Sequence, residues 1–85
     1  MKLFLLITIL TTWLFAAVDI NTASQEELAS LKKIGMKKAA RIIKYREEHG
    51  CFENVADLKA VKGIKKKILK KNKDNIIASK CKKPQ

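Results

Sequence analysis

The sequence predicts a small all-α fold: a doubled helix–turn–helix unit of four to five short helices behind an apolar N-terminal leader. Three observations carry that reading. The stretch Leu31-Lys32-Lys33-Ile34-Gly35-Met36-Lys37-Lys38-Ala39 returns 30 residues later as Val61-Lys62-Gly63-Ile64-Lys65-Lys66-Lys67-Ile68-Leu69. A repeat of that period marks supersecondary units that bury their apolar faces against each other. Each copy places one Gly at a tight bend, where the backbone is free to take positive φ. Apolar residues on either side of the bends, such as Leu28 with Leu31 and Ala39 with Ile42 and Ile43, fall at helical spacing.

The chain opens with Met1-Lys2 and an apolar run from Leu3 to Val18, with small residues Ala16-Ala17 near its end. Charge, apolar run and small residues in that order predict a secretory signal over 1–17, cleaved after Ala16 or Ala17. The run is shorter than the roughly 20 residues of a membrane span. An uncleaved anchor over 3–18 is the alternative reading, because Leu14 and Phe15 are bulky for a cleavage site. The domain proper is expected over 18–78, with a basic tail over 79–85.

Val18 to Asn21 reads as a short extended segment with Ile20 directed inward. Ser24-Gln25-Glu26-Glu27 fits a capping box, in which the serine oxygen accepts from an early amide while Glu27 reaches back. A first helix from Ala23 to Ser30 follows, with Leu28 and Leu31 in the core. A longer helix from Met36 to His49 buries Ala39, Ile42 and Ile43, and Gly50 stands where helices favour Gly. Phe52 plugs the core beneath the connector, and Tyr45 belongs with it. Asn54-Val55-Ala56-Asp57 caps a short third helix that turns Val55 and Leu58 inward. A fourth helix runs from Lys66 to Lys73 with Ile68 and Leu69 buried, and Ile76-Ile77 forms a final short turn. Asn72 stands where an apolar residue is expected, which predicts a looser second unit. The tail from Ser79 has no apolar face and is expected to be mobile unless Cys81 is tied.

Lys and Arg number 19 against 8 acidic residues, a net charge of +11 that falls to about +10 without Lys2. A field of one sign draws in polyanions and acidic membranes. Two cysteines in an exported chain permit one disulfide, Cys51–Cys81, or two free thiols, and the sequence leaves both open. One His and two Cys are too few for a structural zinc site, and His49 beside Gly50 reads as a helix C-terminal cap. No nucleophile, acid–base pair or metal cluster is legible, so the chain reads as a binder, not an enzyme, with no cofactor.

The repeat resembles the helix-hairpin-helix motif, which makes the domain a tandem of two such units. The flanking words Ile20-Asn21-Thr22-Ala23-Ser24-Gln25-Glu26-Glu27-Leu28 and Tyr45-Arg46-Glu47-Glu48-His49-Gly50-Cys51-Phe52 resemble the ComEA family of competence DNA-binding proteins, over Ile20 to Ile76. The resemblance implies double-stranded DNA binding without sequence preference outside the inner membrane, in the periplasm, serving DNA uptake in natural transformation; whether pilus or inner-membrane uptake machinery is a partner is left open by the sequence. The family turn reads Gly, apolar, Gly. Here Lys33 replaces the first Gly of one turn and Lys65 the second Gly of the other.

The residues themselves point the same way. A turn that feeds directly into a helix leaves backbone N–H groups without intrahelical partners, at the positive end of the helix dipole. Such a site favours an anion. The expected phosphate-binding set is Lys33, Ile34, Gly35, Met36, Lys37 and Lys38 at the first turn, and Gly63, Ile64, Lys65, Lys66 and Lys67 at the second. No aromatic platform for unpaired bases is evident, which favours a duplex held through its phosphates. Two other readings compete: charge-only binding to acidic lipid or polysaccharide, and a repair module built on the same motif.

Overall fold

The computed structural model describes residues 17–81. Residues 1–16 of the predicted leader and the last four residues of the basic tail lie outside the described residues. In chain order the elements are β1 (Val18–Asp19), α1 (Gln25–Ala29), α2 (Met36–His49), a 3-10 helix (Val55–Ala60), α3 (Lys66–Lys71) and β2 (Ile76–Ile77).

Local chemistry sets the boundaries. Ser24 caps α1: its Oγ accepts the Glu27 N–H at 3.1 Å while Glu27 Oε1 accepts the Ser24 N–H at 2.8 Å. Gly50 ends α2 at φ 86°, a conformation that costs a residue without Cβ little. The Asp57 carboxylate accepts from the amides of Glu53 and Asn54 at 3.1 and 3.4 Å, opening the third helical segment. That segment is 3-10 throughout, a winding that occurs in short pieces. The fourth helix ends at Lys71, two residues before the sequence expectation. Ile76-Ile77 is a strand and not a turn: it pairs in parallel with Val18-Asp19, Val18 opposite Ile76 and Asp19 opposite Ile77.

One core gathers both units. Ile20, Leu28, Ala39, Ile42 and Leu58 are fully buried, with Phe52 at 1% exposure, and Leu31, Ile34, Val61, Ile64, Ile68 and Ile76 pack with them. Burial of each large apolar side chain contributes about 1.5–3 kcal/mol. Ile43, Val55 and Leu69, all expected inside, are only partly covered. Tyr45 also sits at the edge, stacked on Phe52 at 5.1 Å and on His49 at 4.1 Å between ring centroids.

Two buried or half-buried asparagines tie distant segments. Asn21 is held to Phe52 in both directions, accepting its N–H at 2.7 Å and donating to its carbonyl at 2.9 Å, and it also donates to the Ser79 carbonyl at 2.9 Å. Beside it, the Asp19 carboxylate accepts from the amides of Asn21 and Ser79. Desolvation raises the Asp19 pKa, and the hydrogen bonds from Asn21, Ser79 and Thr22 outweigh it, leaving the group below its ordinary 3.8. The tail is thus seated as far as Cys81, which forms a disulfide with Cys51 across a Cα–Cα distance of 5.6 Å.

Asn72 overturns the expectation of a loose second unit. It is fully buried, and its amide is satisfied on every side by main chain. Oδ1 accepts the Lys32 N–H at 2.9 Å, and Nδ2 donates to the carbonyls of Lys32 and Ile68, both at 2.9 Å. A polar residue at an expected core position therefore fastens the end of α3 to the first turn, 40 residues away.

Candidate nucleic-acid interface

The two turns share three closing hydrogen bonds, and the second adds a fourth, from the Ile68 N–H to the Lys65 carbonyl at 2.9 Å. At the first, Leu31 donates to the Leu28 carbonyl at 3.1 Å, Ile34 to Leu31 at 3.1 Å and Ala39 to Gly35 at 3.0 Å. At the second, Val61 donates to Leu58 at 3.0 Å, Ile64 to Val61 at 3.0 Å and Leu69 to Lys65 at 3.3 Å. Ile34 and Ile64 are each only 2% exposed and anchor the turns in the core. Their amides close the turns and so leave the outward donor set.

The donors that remain follow immediately. The amides of Gly35, Met36 and Lys37, and of Lys65, Lys66 and Lys67, find no acceptor among the described residues. Each group stands at the N-terminus of a helix whose first turn carries no acidic residue. Gly35, Met36, Lys37, Lys65, Lys66 and Lys67 are all exposed, Met36 at 50%. Lys33 is exposed beside the first group, and Gly63 is half-buried beside the second.

The backbone separates the two glycines that the sequence treats alike. Gly63 is left-handed at φ 91°, whereas Gly35 sits at φ −85°, a value open to any residue. The left-handed position of the first turn falls instead on Lys33, at φ 65°. Lys65, replacing the other family glycine, is extended at φ −112° and ψ 167° and carries no strain. Of the two departures from the Gly-apolar-Gly pattern, only Lys33 costs conformational energy, about 1–2 kcal/mol.

Side chains of α2 join the two turns. Lys38 Nζ donates to the Lys33 carbonyl at 3.3 Å, and a Cβ placed on Gly63 would lie 3.4 Å from Lys38 Cε and 3.0 Å from Arg41 Nη1. Arg41 Nη1 also lies 3.5 Å from the Lys62 carbonyl. Lys38 thus lies between the turns with its ammonium group partly engaged by protein, and Arg41, outside the predicted set, belongs to the same surface. Its spacing of three residues from Lys38 on a helix was the available signal. Arg46 does something else, donating from Nη1 to the carbonyls of Ile20 and Ala23 at 3.0 and 3.1 Å.

The surface therefore presents two groups of outward amides, each flanked by lysines and separated by Lys38 and Arg41. Chemically, it can hold two anionic groups on one extended ligand. Among the described residues no cluster of His, Cys, Asp or Glu suits a metal ion, and no helix is long and apolar enough to cross a membrane.

The helix-hairpin-helix motif family model matches residues 15–77. Over 61 residues the chain is 51% identical to an uncharacterized protein of Haemophilus influenzae, covering 71% of this chain and 54% of that protein. It is 46% identical over 61 residues to ComE operon protein 1 of Bacillus subtilis, covering 72% of this chain and 30% of that protein. It is also 50% identical over 64 residues to the kinesin-like protein KIF22 of Xenopus tropicalis, where the match covers 10% of the relative. The chain spans about half or less of the length of these relatives.

Proposed function

The chain belongs to the helix-hairpin-helix family, and from that premise we propose that it binds double-stranded DNA through its phosphates, without reading sequence, as an exported receptor that retains incoming DNA during natural transformation. The observation that carries the reading is the matched pair of turns, closed by three corresponding hydrogen bonds and each presenting main-chain amides and lysines. Amides at Gly35, Met36 and Lys37 hold phosphate oxygens at one position, and those at Lys65, Lys66 and Lys67 hold a second. The ammonium groups of Lys33, Lys37, Lys66 and Lys67 neutralise the same phosphates or their neighbours. Similarity to ComE operon protein 1 supports competence as the setting. Export to the periplasm rests on the apolar leader, and contact with pilus or inner-membrane machinery is part of the same proposal.

Gly35→Pro tests the amides apart from the charge. Its φ of −85° lies close to the proline range, and the substitution deletes one outward N–H without altering net charge. A hydrogen bond to a charged group contributes about 1.5–3 kcal/mol, so duplex affinity measured by fluorescence anisotropy falls about tenfold or more while heparin affinity holds. Equal affinity of the variant and the parent for duplex would transfer the reading to charge alone. In a deletion strain, uptake of labelled DNA into the periplasm, scored separately from entry to the cytoplasm, should be lost. Normal periplasmic uptake would remove the receptor role.

A further inference from the structure

We infer that Asn72 is a positioning residue for the first phosphate site, holding the Lys32–Lys33 turn in the left-handed conformation that a glycine would otherwise supply. Among the described residues Lys33 is the one non-glycine at positive φ, at 65°. Backbone in that region persists where surrounding structure over-determines it. The residue that does so here is Asn72, which grips both polar groups of Lys32, the N–H through Oδ1 and the carbonyl through Nδ2, each at 2.9 Å. Its own orientation is fixed by the third bond, from Nδ2 to the Ile68 carbonyl in α3. Asn72 itself is fully buried, as is its bond to Ile68, and the two bonds to Lys32 are partly buried, which limits competition from water.

The second turn shows the contrast. There Gly63 occupies the left-handed position at φ 91°. The equivalent of Asn72, one repeat earlier, is Ile42, a fully buried apolar residue with no side-chain polar group. Lys62, the equivalent of Lys32, meets only Arg41 Nη1 at 3.5 Å. The turn with glycine is left without a clamp, and the turn without glycine has one. Because Lys32 and Lys33 lead straight into Gly35, Met36 and Lys37, releasing the turn re-aims those outward amides. Asn72 also belongs to the second unit, so its grip sets the first site relative to the second.

The nucleic-acid half of this inference rests on the reading above, whereas the brace itself does not, and a double-mutant cycle in the full chain separates them. The variants are Asn72→Ile, which copies the residue type of Ile42, and Asn72→Ala, which asks no branched side chain to fit, each with and without Lys33→Gly. In urea unfolding the loss on removing Asn72 should be smaller by a factor of about five or more in equilibrium constant when residue 33 is Gly, a non-additivity typical of residues that act on one element. Additive effects in both series would overturn the brace. For duplex binding, Asn72→Ile should reduce affinity and lower the log–log salt slope, as expected when fewer phosphates are neutralised. Adding Lys33→Gly should return the slope to that of Lys33→Gly alone. Asn21→Ala, a destabilised control whose partners are Phe52 and Ser79 and neither turn, should leave the slope untouched. An unchanged slope in every Asn72 variant would overturn the positioning role. Failure of the parent chain itself to bind duplex would remove the nucleic-acid reading, and the stability cycle would still decide the brace.

Discussion

Gly35 and Gly63 occupy neighbouring positions in two copies of one motif, yet alanine at each should behave oppositely. At Gly63 the backbone is at φ 91°, and an added Cβ would meet Arg41 Nη1 at 3.0 Å and Lys38 Cε at 3.4 Å. The Arg41 contact is soft, because the guanidinium is exposed and its bond to Lys62 is long at 3.5 Å. The conformational penalty therefore dominates, at about 1–2 kcal/mol. For a domain of this size each kcal/mol lowers Tm by about 4–8 °C, so Gly63→Ala should cost between about 4 and 16 °C. At Gly35, φ is −85° and nothing lies within 4 Å of the added Cβ. Reduced freedom of the unfolded chain there offsets the poorer capping by Ala, leaving stability within about 0.5 kcal/mol. The new methyl nevertheless stands among the outward amides and should weaken duplex binding. Thermal melts followed by circular dichroism, paired with anisotropy titrations of a linear duplex, read both effects. A Gly35→Ala protein as destabilised as Gly63→Ala would refute the assignment of the left-handed position.

Replacing Cys81 with Ser, or reducing the disulfide, should lower stability by about 3.5 kcal/mol, the chain-entropy value for a cross-link over 30 residues, measured as the shift in urea midpoint with and without reductant. Asn21→Ala strands the Phe52 N–H and two carbonyls and should cost about 1–3 kcal/mol by the same assay. Asp19 has a pKa held below 3.8, so between its folded value and 3.8 the unfolded chain binds more protons and stability rises with pH. Its contribution should be complete above pH 3.8 and disappear as pH falls through the folded value. In Asp19→Asn that part of the pH dependence of urea unfolding should be missing. If the two turns together neutralise about four phosphates, log affinity should fall against log salt with a slope near −3.6, on the order of a hundredfold between 50 and 200 mM.

Much of the fold was legible because its punctuation is local. The limits of α2 follow from Gly35 and Gly50, and the start of α1 from Ser24 and Glu27, all within a few residues of the boundary they set. Asp57 marked the third segment equally well, but not its 3-10 winding, since the equally short Lys66–Lys71 is α-helical. The β1–β2 bridge was hidden because two-residue strands have no period to detect, and their pairing joins residues 58 apart. Asn72 was read as a flaw because its partners are main-chain atoms of Lys32, invisible to any pattern of side chains. At the candidate site the repeat located both turns and the lysines around them. It did not reveal that Ile34 and Ile64 face inward, that Gly35 needs no special backbone freedom, or that Arg41 joins the surface, since each depends on the chain's path and not its composition.

The bond between Cys51 and Cys81 also decides how the molecule bears a load. Tension entering from the C-terminal side reaches Cys81 and passes covalently to Cys51, skipping the 29 residues between them, which include the whole second hairpin. That hairpin cannot be peeled away from its own end. A pull there is delivered instead to the connector after α2, where Phe52 is sunk in the interior and Asn21 grips its backbone from the opposite terminus. A ligand straining against the second turn is thus held by an element that traction on the tail leaves slack.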